Sequence, residues 1–195
     1  ESAKAFFRPH IGQLHDPFLM QDMETAVSRL QQAIDQKESV MVYGDYDVDG
    51  TTSVSLLTHF LRSQGLNVTT YIPDRYAEGY GLSKKGIDTA KAANISFMIA
   101  LDCGVKAIDQ VAYANTLGID LIICDHHTPG DVLPNALAVL DPKRSDCAYP
   151  FKELCGCGVG FKLMQALLQQ QGKDASDIIA YLDFVAVAIA ADIVP

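Results

Sequence analysis

Acidic residues and histidines collect at the ends of four short apolar runs in this 195-residue sequence. The residues that follow these runs are Asp45, Asp47 and Asp49; Asp102; Asp125, His126 and His127; and Asp141. Three carboxylates at alternate positions of one turn repel one another strongly unless cations lie among them. Oxygen and imidazole ligands suit manganese or magnesium. The pattern therefore predicts a divalent-metal site.

The aspartate-rich turn at residues 45–49 has two other interpretations. A solvated turn with a helix cap would explain one aspartate, but three of them, with further acids at strand ends, favour a metal site. The string Asp-x-Asp-x-Asp-Gly also resembles the first half of a calcium-binding EF-hand loop. That loop needs a preceding helix and a Glu at its twelfth position. Here we predict a preceding strand, and the twelfth residue is Leu56.

Adjacent histidines are often one buried ring and one surface ring. Because successive side chains diverge, we expect one of His126 and His127 to bind metal and the other to face the substrate. Asp192 ends an apolar helix, where an unpaired charge near a core is costly, and it too calls for a cation. The remaining histidines are expected at the surface or in packing roles: His10, His15 and His59.

The elements that must position these side chains alternate between β-rich runs and helical patterns. This alternation predicts an α/β fold, a parallel β-sheet with helices on both faces, and a helical C-terminal part. We predict strands at residues 39–43, 68–72, 96–101, 120–124 and 136–140. We predict helices at 20–36, 51–64 with Thr51 as cap, 83–92, 106–117, 159–171 and 175 to about 190. Ligands of such sheets bind beyond the carboxyl ends of the strands, where these acids fall.

Composition restricts the possible functions. A net charge of -9 argues against a broad electrostatic grip on nucleic acid, although bound divalent ions would cancel several charges where a phosphate must lie. An odd number of scattered cysteines, five, fits reduced thiols in a cytoplasm. Cys155 and Cys157 form a C-x-C string without a second pair, which is a weak zinc signal. The apolar run 185–191 is too short to span a membrane, and residues 1–10 do not resemble a secretory leader.

The motifs together resemble the DHH phosphoesterase superfamily. The strings that carry the resemblance are the aspartate-rich turn, Asp-Cys-Gly at 102–104, Asp-His-His at 125–127 and Ala-Asp-Ile-Val-Pro at 191–195. Pro-Asp-Arg at 73–75 and Glu-Gly-Tyr-Gly-Leu at 78–82 narrow it to the RecJ branch. The resemblance implies a single-stranded-DNA-specific exonuclease that digests from the 5′ end, acts in DNA repair and recombination, and uses two divalent ions, with Mn²⁺ expected and Mg²⁺ as the alternative.

The resemblance also assigns site residues by position. Asp47 and Asp102 would hold one metal, and the second would be held by Asp49, Asp102, His126 and Asp192, with Asp102 as bridge. His127 would contact the scissile phosphate. Pyrophosphatases of the superfamily carry a His four residues before the first ligand Asp, but this sequence has Tyr43, as the RecJ branch does. Asp45 would supply part of the missing ligation, and we count it with His127 among the catalytic residues.

Two further assignments stay open. Arg75 would stabilise the transition state, or would form salt bridges with neighbouring acids. In the glycine-rich string 155–162, Gly156, Gly158 and Lys162 would bind substrate phosphate, or the glycines would serve only packing. The cysteines of this string depart from the Gly, Ala or Ser that is usual in the family.

The expected organisation is an N-terminal segment and helix at 1–38 and a DHH domain at 39–195, with the further C-terminal domains of the family absent, so that the chain is a catalytic fragment. We expect a monomer that acts on single-stranded DNA, with no membrane partner and with a single-strand-binding protein or a helicase as protein partners. The alternatives are a phosphoesterase for oligonucleotides or cyclic dinucleotides, and a non-catalytic RecJ-like module of a replication complex.

Overall fold

A computed structural model describes residues 7, 8 and 10–195, and its centre is one five-stranded parallel sheet. The strands are β1 (Ser39–Gly44), β2 (Asn67–Tyr71), β3 (Phe97–Leu101), β4 (Asp120–Cys124) and β5 (Ala138–Leu140). The α-helices are α1 (Met23–Gln36), α2 (Val48–Ser63), α3 (Lys84–Ala92), α4 (Ile108–Thr116), α5 (Gly156–Gln170) and α6 (Leu182–Asp192). Short 3-10 helices cover Ile11–Gln13, Pro17–Leu19 and Ala175–Tyr181.

The sheet is buried on both faces because its strands are apolar at successive positions. Val40 and Val42 of β1 pack into one cluster with α1, α2, α5 and α6, whereas Met41 and Tyr43 pack into a second cluster with α3 and α4. This is the side-chain alternation of a strand with both faces covered. The predicted α/β fold with helices on both faces is confirmed.

The strand order places a topological switch point at β1. The order across the sheet is β2-β1-β3-β4-β5, so the chain leaves β1 toward one edge and returns to build the other side. In open parallel sheets, ligands bind in the crevice at such a point, beyond the carboxyl ends of the strands. Asp45 follows β1 and Asp102 follows β3, so the switch point lies between two of the predicted site residues.

Three predicted helix boundaries are wrong in ways that matter for the site. Helix α2 begins at Val48 rather than at Thr51, because the Asp47 side chain accepts a hydrogen bond from the Gly50 backbone N–H at 2.8 Å and caps the helix. Helix α5 begins at Gly156 rather than at 159, so its glycines belong to the first turn. The stretch from 175 is a 3-10 helix followed by α6, rather than one helix.

The N-terminal helix α1 packs into the same apolar cluster as α2 and α5. The proposed boundary between residues 38 and 39 therefore stays a prediction. All five cysteines are buried and free of disulfide bonds. Among the described residues, no helix has the length and apolar character needed to cross a bilayer.

Candidate metal-binding and catalytic site

Four aspartates directly follow four strands at the carboxyl edge of the sheet. Each of these side chains is at most 1% exposed to solvent: Asp45 after β1, Asp102 after β3, Asp125 after β4 and Asp141 after β5. Burying a carboxylate without a compensating charge or hydrogen bond is costly. The groups that compensate each buried carboxylate therefore indicate its role.

Asp102 is the least compensated of the four. Neither carboxylate oxygen has a hydrogen-bond partner among the described residues. Burial, followed by repulsion from Asp49 and Asp47, raises the pKa of Asp102 far above its usual range. The residue also has a left-handed backbone with φ 59°, which is uncommon outside glycine. A carboxylate held in this way fits a position that a cation is meant to occupy.

Asp49 is held by the first turn of α5. Its two oxygens accept hydrogen bonds from the backbone N–H groups of Gly156, at 2.6 Å, and Cys157, at 2.8 Å. Burial nevertheless raises the pKa of Asp49. A Cβ at Gly156 would lie 2.6 Å from the Asp102 Cβ, so only glycine fits between α5 and Asp102. The glycine-rich string thus holds Asp49 and makes room for Asp102.

His126 joins two clusters of potential ligands. Its Nε2 lies 3.1 Å from Asp102 Oδ1, and 3.6 Å from an oxygen of Asp49 and from one of Asp192. Asp49, His126 and Asp192 offer ligand atoms within 4.8 Å of one another. A second set with the same spacing is formed by Asp45, Asp47 and Asp102. The structure therefore brings together all five predicted metal ligands, together with Asp45.

The His127 ring lies 4.5 Å from the His126 ring, centre to centre, but the His127 side chain is 44% exposed whereas that of His126 is 6% exposed. The His127 Nδ1 lies 2.8 Å from Asp125 Oδ1, and this hydrogen bond raises the pKa of His127. The Tyr80 hydroxyl lies 3.1 Å from its Nε2. His127 is also within 4.8 Å of Asp102 and His126. An imidazole that favours its protonated form, at the exposed edge of the carboxylate clusters, suits contact with an anionic phosphate.

Asp125 organises this corner without needing a cation. It accepts hydrogen bonds from the backbone N–H groups of His126, His127 and Val105, as well as from the His127 ring. Burial opposes the charge, but these bonds outweigh it and lower the pKa of Asp125. Asp125 is therefore a positioning residue.

Arg75 lies on the exposed rim, where its guanidinium carbon is 5.3 Å from the centre of the Tyr46 ring. Tyr46 in turn meets Tyr80 edge-to-face. The buried Tyr43 hydroxyl donates to the Gly81 carbonyl at 2.7 Å and so anchors the segment that carries Tyr80. Arg75 thus reaches His127 only through two aromatic rings. Its catalytic role stays a prediction.

The structure does not bring Lys162 or Gly158 to the carboxylates. Lys162 is 3% exposed, its ammonium binds the His15 carbonyl and the Gln165 side chain, and burial lowers its pKa to about 8. Gly158 donates its N–H to Cys155 Sγ. The Gly156 N–H is already used by Asp49. These groups have partners within the protein, since α5 begins earlier than the sequence indicated, and the phosphate-binding role of the three residues stays a prediction.

Tyr80 is the functional candidate that sequence reasoning missed. The string 78–82 served there only to identify a branch of the family, and a tyrosine between two glycines carries no chemical signal by itself. Both flanking glycines, Gly79 and Gly81, have positive φ, at 81° and 82°, in keeping with a tight turn that presents the ring.

Comparison with known proteins gives consistent matches. The sequence model described as "DHH family, N-terminal domain" matches residues 39–189. The single-stranded-DNA-specific exonuclease RecJ of Bacillus subtilis (strain 168) is 43% identical over 195 residues, covering 100% of this chain and 24% of the relative. This chain therefore spans about a quarter of that protein.

Two solved structures are similar over most of the chain. The crystal structure of exonuclease RecJ bound to manganese superposes with a TM-score of 0.81 at 32% identity, covering 90% of this chain and 44% of the other. RecJ from Thermus thermophilus in complex with Mn²⁺ gives 0.78 at 28% identity, covering 96% of this chain and 26% of the other.

Proposed function

We propose that this chain, which belongs to the DHH family, carries the catalytic site of a metal-dependent exonuclease that hydrolyses single-stranded DNA from the 5′ end. The observation that carries the proposal is the pair of adjoining ligand clusters that share the Asp102 and His126 contact. The names of similar proteins support the substrate and the metal, since they describe single-stranded-DNA-specific exonucleases and structures with manganese.

The residues present fit two divalent ions. Asp45 Oδ2, both oxygens of Asp102 and the His126 Nε2 are buried without hydrogen-bond partners among the described residues. Carboxylate oxygens with one imidazole are a donor set that suits Mn²⁺ and admits Mg²⁺. Asp45, Asp47 and Asp102 would hold one ion, and Asp49, Asp102, His126 and Asp192 the other.

Bound ions would supply a hydroxide at neutral pH and neutralise the charge that develops on the phosphoryl group. The chain's own residues do the rest. His127, kept in its protonated form by Asp125, donates a hydrogen bond to a phosphate oxygen and stabilises the charge of the transition state. In the structure the Nε2 of that imidazole contacts the Tyr80 hydroxyl at 3.1 Å, and a phosphate oxygen would take the place of this hydroxyl as its partner. The α5 N–H groups fix the direction of the Asp49 carboxylate.

The protein's context belongs to the same proposal. Single-stranded DNA is the macromolecular ligand, a monomer is the working form, and a single-strand-binding protein or a helicase would deliver the strand. Five free, buried cysteines support a reducing, cytoplasmic location. The basic surfaces that grip the strand would lie in the part that longer relatives possess, because this chain carries a net charge of -9.

The test compares substrates with the intact, Mn²⁺-loaded protein. We expect a 5′-labelled single strand to release labelled mononucleotide at once, with slower cleavage of the matching duplex, of a dinucleotide and of a cyclic dinucleotide. Faster hydrolysis of the dinucleotides would show that the preferred substrate is a small nucleotide rather than a DNA strand. Absence of hydrolysis from all four substrates would leave a non-catalytic module.

A matched pair of histidine variants locates the activity. His127→Gln should lower kcat by roughly 10²- to 10³-fold, because one charge-stabilising donor is lost, while Mn²⁺ affinity is kept. His59→Gln is the control, since His59 lies outside the clusters and bonds the Tyr181 hydroxyl. Equal rates for the two variants would contradict the assigned role of His127.

A further inference from the structure

We propose that a cavity beside His127 binds the nucleobase of the nucleotide that is being released, one base at a time. The inference rests on the proposed function, which supplies a terminal nucleotide as substrate. The cavity has a volume of about 250 Å³ and opens between the segment 80–82, the loop 104–107 and α4. It is distinct from the carboxylate clusters but adjoins them through His127, which offers a ligand atom within 4.8 Å of those of Asp102 and His126.

The lining of the cavity suits a flat heterocycle. Leu82, Val105 and Ala107 provide apolar surface, and the ring of Tyr80 completes the wall. Polar groups come from Gln110, whose amide can donate and accept, and from Lys106 at the exposed side. A nucleobase needs this combination, with apolar contact for its faces and hydrogen-bonding groups for its edges.

The electrostatics of the cavity argue against a further metal ion in it. Asp125 is the only carboxylate among the residues that line the cavity, and its oxygens already accept four hydrogen bonds, from Val105, His126 and twice from His127. A satisfied carboxylate does not call for a cation, in contrast to Asp102. The cavity therefore does not call for a metal ion, and its apolar wall leaves space for an organic group.

The size and position of the cavity limit what it can hold. Pockets for drug-sized ligands measure about 300–1,000 Å³, so this one takes a single base rather than a stack of them. His127 lines the cavity, and a base bound there keeps its own phosphate beside that imidazole. The Gln110 amide can pair with the edge of any base, which predicts a subsite that tolerates sequence.

The experiment titrates the intact, metal-loaded protein with dAMP, dCMP and 2-deoxyribose 5-phosphate, which share the sugar phosphate and differ in the base. We expect the two nucleotides to bind about tenfold or more tightly than the sugar phosphate, because only they place a base against the wall of the cavity. Ala107→Phe fills the cavity and should abolish this difference. Ala112→Phe makes the same change at an exposed position of α4 and should keep it.

A measurement on the wild-type protein covers the case in which Ala107→Phe does not fold. With Mg²⁺ bound, dAMP should shift the methyl NMR signals of Leu82 and Val105, while 2-deoxyribose 5-phosphate should not. Equal affinity for all three ligands, or a base preference that survives in folded Ala107→Phe, overturns the cavity assignment. If the protein hydrolyses the strand but binds all three ligands equally, the cavity assignment is wrong and the proposed function stands. If the protein prefers the nucleotides but does not hydrolyse the strand, the cavity assignment is supported and the proposed function is contradicted.

Discussion

The two ends of the sheet both carry charged residues, but they balance them in opposite ways. At the amino end, Arg29 binds Glu38 at 2.8 Å and Asp120 at 2.6 Å, and its guanidinium lies 4.2 Å from the centre of the Phe97 ring. At the carboxyl end, Asp49 and the other clustered carboxylates meet no Lys or Arg within 4.0 Å among the described ion pairs.

This difference separates structural charges from functional ones. At the amino end the charges are balanced within the chain, because one cation pairs with two anions and stabilises the fold. At the carboxyl end the clustered carboxylates have no Lys or Arg partner among the described residues, so their burial opposes folding until an external cation binds. If this contrast is correct, substitutions at the two ends should affect stability and activity in opposite ways.

The largest effect is expected from Asp102→Asn, which keeps the shape and removes the bridging charge. We expect kcat for single-stranded DNA to fall on the order of 10³-fold, because both metal positions lose a ligand. The melting temperature of the metal-free variant should rise at neutral pH, because folding the wild type requires this carboxyl to stay protonated above its ordinary pKa and an amide has no such cost. Asp120→Asn at the amino end is the control and should keep the activity. More than a tenth of the activity remaining in Asp102→Asn would break the contrast.

The reverse pattern is expected from Arg29→Met at the amino end. Removing the cation leaves Glu38 and Asp120 without a partner, which should lower the free energy of unfolding by about 2 kcal/mol, because Asp120 is 48% exposed and solvent screens part of the loss. The activity of the folded fraction should be unchanged, because none of the described contacts of Arg29 reaches the clusters. Urea denaturation and kcat, measured on the same preparation, check both statements. A loss of kcat without a loss of stability would show that the two ends are coupled.

Metal addition should act on the carboxyl end alone. Burial raises the pKa values of Asp45, Asp49 and Asp102, and cations bind the deprotonated carboxylates, so binding must release protons and tighten as pH rises. At a hundredfold excess over Kd, Mn²⁺ should add about 2.7 kcal/mol to the stability for each ion bound. Calorimetry in two buffers that differ in ionisation enthalpy counts the protons. Binding without proton release between pH 6 and 8 would be inconsistent with buried, protonated carboxyls.

The smallest effect is expected from a substitution of Asp141. Its Oδ2 has no hydrogen-bond partner among the described residues, and burial raises its pKa to about 7. As pH rises from about 4, the unfolded chain loses this proton before the folded chain does, so stability falls until about pH 7. Asp141→Asn removes this loss. The metal-free variant should match the wild type near pH 4 and exceed it on the order of 2 kcal/mol at pH 8. Urea denaturation at both pH values measures the difference, and identical pH dependence would contradict it.

The sequence predicted the fold and the members of the site for different reasons. Strand-end acids such as Asp102 were recognisable because apolar runs locate the strands, and parallel strands bring their carboxyl ends to one edge. The roles of Gly156 and Lys162 were not predictable in this way. They depend on where α5 begins and which way it faces, and this is set by packing against α2 and the sheet, which no local pattern records.

The role of Tyr80 is a second feature that the sequence could not predict. Its contact with His127 spans 47 residues and depends on the hydrogen bond by which Tyr43 anchors the next residue, Gly81. Nothing in the residue types near Tyr80 indicates which ring it meets. The geometry of the phosphate-facing corner therefore required the three-dimensional structure.

The hydrogen bonds that hold Asp49 set a time at which the site can first exist. Asp49 and its donors, Gly156 and Cys157, are 107 and 108 residues apart along the chain. A growing chain that has displayed its aspartate-rich turn still lacks the groups that orient it, and it gains them only after more than half of the 195 residues have followed. The Asp49 carboxylate can therefore take its orientation only after the first turn of α5 has been synthesised and has packed beside the sheet.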